Sequence, residues 1–346
     1  WNSPISDITD VADSGTYFYR IEAKNYETVT GNVKVTVNPA ELKVEEVTLT
    51  NTVKTYDGAV DLPEGNNSVL GPKVVNGVVS GETIFANVSA AYDSSDASDN
   101  AQINIVYKIT FGADADPSNY EYGDKGVDVT EKENTWTFTK TVAGKINKAT
   151  LTYKSGITAA NRAYDGTAEV DLNAGNSIDF SGKIVEDDVS LALVENAKGA
   201  MNDTNAGDDK VVTVDPQTDL EIQGEDAKNY QLQSETISLN VDIAKKQVQI
   251  TFSGDLTASY TGVPLAKAEY ATTLTGLIES DHISFVSDPE DLNCDVSYQF
   301  YDSTGEPLIG VPTNRGSYQV EATLKPEKTA DKYKNYEVAG TGKQTV

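Results

Sequence analysis

Short runs in which apolar and polar side chains alternate recur along the whole chain. Gln249-Ile250-Thr251-Phe252, Val296-Ser297-Tyr298-Gln299-Phe300-Tyr301 and Tyr318-Gln319-Val320-Glu321-Ala322-Thr323-Leu324 each set apolar residues on every second position. Tyr17, Tyr19 and Ile21 alternate in the same way, as do Val33, Val35 and Val37. A period of two gives a strand one dry face and one wet face, the pattern of antiparallel sheets. Gly, Asn, Asp, Pro and Ser separate the runs, and no long stretch carries apolar residues at helical spacing, so the pattern predicts an all-β protein. Asp302-Ser303-Thr304-Gly305, between two of these runs, predicts a tight hairpin whose glycine stands at positive φ.

Three landmarks recur in a fixed order. Tyr56-Asp57-Gly58, Tyr164-Asp165-Gly166 and, more loosely, Tyr260-Thr261-Gly262 follow one another at intervals of 108 and 96 residues. Asn-Tyr pairs stand at Asn25-Tyr26, Asn119-Tyr120, Asn229-Tyr230 and Asn335-Tyr336, spaced by 94, 110 and 106 residues. Junctions where one strand ends and the next begins fall at Val37–Leu42, Ile146–Leu151 and Ile243–Val248, without Gly/Ser tracts, which predicts stiff coupling. A fixed period marks one structural unit copied along a chain. The expected division is a truncated repeat at 1–38, holding only the second half of the pattern, followed by modules at 39–147, 148–244 and 245–346.

The 346 residues exceed one small sandwich, since domains run to about 100–150 residues. The net charge of -27 is spread over the whole length, so the surface repels nucleic acid and anionic lipid. A single cysteine, Cys294, excludes an intramolecular disulfide. No apolar segment approaches the ~20 residues that span a bilayer, so no membrane insertion is expected of this segment. The N-terminus lacks a signal-peptide pattern, and the chain is expected to be a portion of a longer export product.

Lys54-Thr55-Tyr56-Asp57-Gly58 and Arg162-Ala163-Tyr164-Asp165-Gly166-Thr167 resemble the opening signature of the YDG repeats of bacterial adhesins. Tyr260-Thr261-Gly262, with Gly310-Val311-Pro312-Thr313-Asn314-Arg315-Gly316-Ser317-Tyr318, resembles the related MBG-type immunoglobulin-like repeat. The resemblance implies tandem immunoglobulin-like antiparallel β-sandwiches in an elongated row, in a secreted protein or on a bacterial cell surface or wall, and the scarcity of cysteine suits a Gram-positive one. It further implies a stalk or adhesin whose parent protein meets a host glycan or protein, with a module that itself grips such a ligand as the alternative. It assigns no binding residue.

Little in the chain offers catalytic chemistry, and no enzyme is expected. Hydrolases need a nucleophile beside a base, and the one histidine, His282, stands twelve residues from Cys294 without a motif around either. One His and one Cys cannot fill a zinc site. No cofactor is expected. The acidic loops offer hard oxygen ligands for calcium at Asp93, Asp96, Asp99, Asp203, Asp208 and Asp209, but without EF-hand spacing, so a solvated loop is the simpler reading. Lys54, Lys148 and Lys245 at strand ends raise the question of isopeptide bonds. Of the two tryptophans, Trp1 and Trp136, the second lies in the alternating run Thr135–Thr139 and is expected in a core.

The Tyr-Asp-Gly and Asn-Tyr residues read as folding signatures. The tyrosines bury their rings, Asp-Gly makes the turn, and Asn-Tyr anchors a loop as the tyrosine corner does in immunoglobulin sandwiches. Tyr56, Tyr164 and Tyr260 are therefore all expected to be at least partly buried. The piece 1–38 leaves strand edges open, so it is expected to pair with a neighbouring chain or to dock on the 39–147 module.

Overall fold

The computed structural model describes residues 8–253, 256–325, 330–339 and 342–345. Trp1 lies outside them. The chain is mostly β, in several sheets, with helix confined to turns of three or four residues. It divides into two compact units, one of residues 1–150 with 183–188 and 225–231, the other of the remainder.

In the first unit, Gly15–Ile21 and Val29–Val35 form an antiparallel hairpin. The main sheet runs in the order Thr130–Lys132, Thr135–Asn147, Ser98–Phe111, Ile84–Tyr92 and Gly71–Lys73, with Val53–Thr55 parallel to the end of Thr135–Asn147. A smaller sheet sets Ala40–Val44 between Val75–Asn76 and Tyr120–Tyr122. The alternation seen in the sequence explains the packing: Ile105, Tyr107, Ile109 and Phe111 point to one side, where they meet Leu42 and Val44 of the small sheet. Trp136 is buried in that core, its ring edge-on to Phe111.

Close backbone approach dictates one residue of this unit. Gly77 has φ +90, and a Cβ there would lie 1.9 Å from the Glu41 carbonyl oxygen, so only glycine fits where the chain turns against Ala40–Val44.

The second unit contains a sheet running through Arg162–Ala163, Ile237–Ala244, Gly207–Val214, Lys198–Met201, Glu169–Ser181 and Ala149–Ala159. The last two strands slip register around Gly156, whose φ of +107 places the Ser177 carbonyl where a Cβ would sit. Such a bulge bends a long strand. Toward the C-terminus, Lys246–Phe252 lies between Thr272–Thr275 and Tyr336–Val338, while Gln319–Leu324 lies between Val296–Tyr301 and Gly342–Thr345. Ile250, Cys294, Val296 and Ala322 form one core cluster there. The Asp302–Gly305 turn forms with Gly305 at φ +90, and it opens the longer connection to Gln319–Leu324.

Candidate functional site: the Asn-Tyr corners

Each buried signature tyrosine is held by a short parallel strand. Val53–Thr55 lies beside Lys145–Asn147, and the Tyr56 N–H donates to the Asn147 carbonyl at 2.8 Å. Arg162–Ala163 lies beside Ile243–Ala244, and the Tyr164 N–H donates to the Ala244 carbonyl at 2.8 Å.

The aspartate that follows locks the turn. Asp57 Oδ1 accepts from Lys54 Nζ at 2.7 Å and from the Ala59 N–H at 3.0 Å. Asp165 Oδ1 accepts from Arg162 Nη1 at 2.6 Å and from the Thr167 N–H at 2.9 Å. Burial works against ionisation of Asp57, but the Lys54 ammonium and the Ala59 N–H prevail and hold its carboxyl below the ordinary carboxylate range. Gly58 and Gly166 close these turns at φ +78 and +82.

Both rings then meet a second tyrosine and an acid. In the first unit Tyr56 Oη donates to Asp187 at 2.9 Å, Tyr230 Oη donates to the same carboxylate oxygen at 2.5 Å, and the rings meet edge to face at 5.5 Å. In the second unit Tyr164 Oη donates to Asp281 at 2.8 Å, Tyr336 donates to the other oxygen of Asp281, and the rings meet edge to face at 5.6 Å. Tyr56 and Tyr164 are 7% and 3% exposed, so each carboxylate sits among groups almost cut off from water.

Residues 145–237 match the YDG domain family. The matched segment holds Tyr164-Asp165-Gly166 and Asn229-Tyr230 and stops short of 245–346. No curated protein matches the chain.

The signature tyrosine of the YDG domain thus finds its acid outside the matched segment, at Asp281. That acid belongs to a motif which the landmarks did not include. Val79-Ser80-Gly81-Glu82, Ile184-Val185-Glu186-Asp187 and Ile278-Glu279-Ser280-Asp281 share the order aliphatic, two variable residues, acid. The aliphatic N–H donates to the corner tyrosine hydroxyl, from Val79 to Tyr120 at 3.2 Å, Ile184 to Tyr230 at 2.9 Å and Ile278 to Tyr336 at 3.0 Å. The hydroxyl in turn donates to the acid, as Tyr120 does to Glu82. Burial first, and the neighbouring carboxylate second, push Tyr230 and Tyr336 up to about 12.

The asparagine of each pair makes a two-point clasp. Asn229 Oδ1 accepts from the Ala97 N–H at 2.9 Å and its Nδ2 donates to Asp96 at 3.2 Å. Asn335 Oδ1 accepts from the Ala206 N–H at 3.0 Å and its Nδ2 donates to Asn205 at 3.1 Å. Asn119 repeats this on residues of the N-terminal segment, accepting from the Val11 N–H at 2.8 Å and donating to Asp10 at 2.9 Å. A side-chain amide offers one acceptor and two donors, and an Asx-x step presents the complementary pair.

Two expected positions differ. Tyr260 is 70% exposed rather than buried, and Ala258 and Thr261 stand where Lys54 or Arg162 and Asp57 or Asp165 form the ion-paired turn. Gly262 keeps the turn at φ +73. Tyr26 is 81% exposed after Asn25 at φ +72, so this pair anchors no loop among the described residues.

The acidic loops are used internally. Asp96 pairs with Lys228 and Asp203 with Lys210, each at 2.6 Å, and Asp99 with Lys145 at 2.7 Å. Asp93 accepts from the Gln102 N–H at 3.3 Å, the Asp209 N–H donates to Asp242 at 3.0 Å, and Asp208 is exposed. Among the described residues no group of three or more His, Cys, Asp or Glu is placed to hold a metal ion. Cys294 is fully buried with its thiol on the Val296 carbonyl, whereas His282 is exposed at φ +51. No helix among the described residues is long and apolar enough to cross a membrane.

Proposed function

We propose that this chain is a non-catalytic structural segment of a bacterial surface protein, built of tandem immunoglobulin-like modules at 39–147, 148–244 and 245–346 after a truncated repeat at 1–38. Set in an elongated row, the modules act as a spacer that carries an adhesive region away from the cell. The observation that supports this reading best is the corner formed by Tyr164, Asp281 and Tyr336, which joins residues of two successive modules through a half-buried carboxylate and the hydroxyls of two buried tyrosines. A flexible tether would not bury the rings of Tyr164 and Tyr336, since buried hydroxyls need partners in fixed positions. The net charge of -27 suits an extracellular stalk that stays soluble, and the YDG match suits the surface assignment. The acids and tyrosines of the corners are consumed in closing them, which supports a structural role over catalysis. Small-angle scattering of the full chain tests the proposal: an elongated, stiff particle is expected, and a compact near-spherical one overturns it.

A further inference from the structure

Among the described residues the clasp forms three times, and a fourth receiving half takes no asparagine. Asp10-Val11, Asp96-Ala97 and Asn205-Ala206 each take an asparagine side chain through a backbone N–H and a side-chain oxygen. Asn314-Arg315-Gly316 repeats the order of Asn205-Ala206-Gly207. It lines a cleft of about 420 Å³ together with Tyr260, Val263, Pro264 and Tyr318. The exposed signature tyrosine and the unused Asx-x step therefore face one cavity, as Tyr164 and Asn205-Ala206 face the Asn335-Tyr336 pair.

We propose that this cleft is the docking socket for a further β-module carrying an Asn-Tyr corner with its acid. The incoming asparagine clasps the Arg315 N–H and the Asn314 side chain, and the incoming tyrosine sets its ring edge-on to Tyr260. The incoming acid accepts the Tyr260 hydroxyl, with the Arg315 guanidinium as an added attraction in place of the alanine found at 97 and 206. Exposed apolar surface at Tyr260 and Val263, 70% and 61%, is what such a corner covers. The inference rests on the modular reading above and names the partner that the last module accepts.

The test uses the full chain extended after Val346 by a second copy of residues 245–346, which supplies the corner of Asp281, Asn335 and Tyr336. Nitration of Tyr260 and amide exchange at Arg315 are compared with the unextended chain. Exchange at Arg315 is expected to slow by at least roughly tenfold, with Tyr260 protected, because the N–H becomes closed in a cooperative contact. Asn335→Ala with Asp281→Ala in the added copy alone restores both rates. Unchanged rates in the extended chain overturn the socket. A second measurement does not depend on the added copy: in the unextended chain Asp281→Ala must expose Tyr164 to nitration. If Tyr164 stays protected, the corner chemistry itself fails and the modular reading falls with it; if Tyr164 reacts but Tyr260 in the extended chain is never covered, only the socket falls.

Discussion

Tyr164 and Asp281, 117 residues apart in the chain, are joined by a hydrogen bond of 2.8 Å. Asp281 also accepts from Tyr336, so one carboxylate closes a contact between segments that are distant in sequence. Asp187 does the same for Tyr56 and Tyr230, 131 and 43 residues away.

Removing the ring and removing only the hydroxyl have different costs. Tyr164→Ala leaves a cavity beside Tyr336 and is expected to destabilise the surrounding fold by roughly 3–5 kcal/mol, as large aromatic truncations do. Tyr164→Phe keeps the edge-to-face contact and loses one charge-assisted hydrogen bond, costing about 1.5–3 kcal/mol. Urea unfolding of both variants checks the order.

Asn229 is 1% exposed, and its side chain satisfies the Ala97 N–H. Asn229→Ala leaves that donor without its partner and should cost about 1–3 kcal/mol, whereas Asn25→Gly, at an exposed pair whose φ of +72 glycine also adopts, should fall within about 0.5 kcal/mol of wild type. Equal effects in equilibrium unfolding would contradict the clasp.

Stability should fall in alkali. Tyr230 and Tyr336 titrate in the folded chain near 12, above the ordinary value of 10.0, so their contribution is fully present below pH 10 and is lost as pH rises through about 12. Tyrosinate absorbance followed from pH 9 to 13 should place these two groups late. Asp281→Asn removes the acceptor charge and should bring Tyr336 down while leaving Tyr230 in place.

The glycines separate steric need from conformational need. Gly77→Ala brings a Cβ to 1.9 Å from a backbone oxygen and should disrupt the fold around Ala40–Val44. Gly305, at φ +90 with open space around it, should tolerate alanine at a cost of only about 1–2 kcal/mol. Thermal melts of the two variants distinguish them.

Strands were legible in the sequence because alternation is local: Val320 and Ala322 are buried as their period-two positions require. The roles of Asp57 and Asp165 as turn locks were legible too, since an Asp-Gly step carries its own geometry. The acid of each corner was not. Glu82, Asp187 and Asp281 sit in loops without a conspicuous neighbour, and only their spacing, close to that of the tyrosine signatures, could have singled them out. The exposure of Tyr260 escaped for a related reason, because burial of a signature tyrosine depends on a corner supplied from elsewhere in sequence.

Calorimetry of the wild-type and Asp281→Ala chains decides most directly whether the corner couples one segment to the next. In the wild type, residues 148–244 and 245–346 are expected to unfold in one cooperative transition, since nearest-neighbour contacts bind them. In Asp281→Ala the 245–346 segment should separate as its own transition at lower temperature. An endotherm for Asp281→Ala that superimposes on the wild-type curve would contradict the coupling.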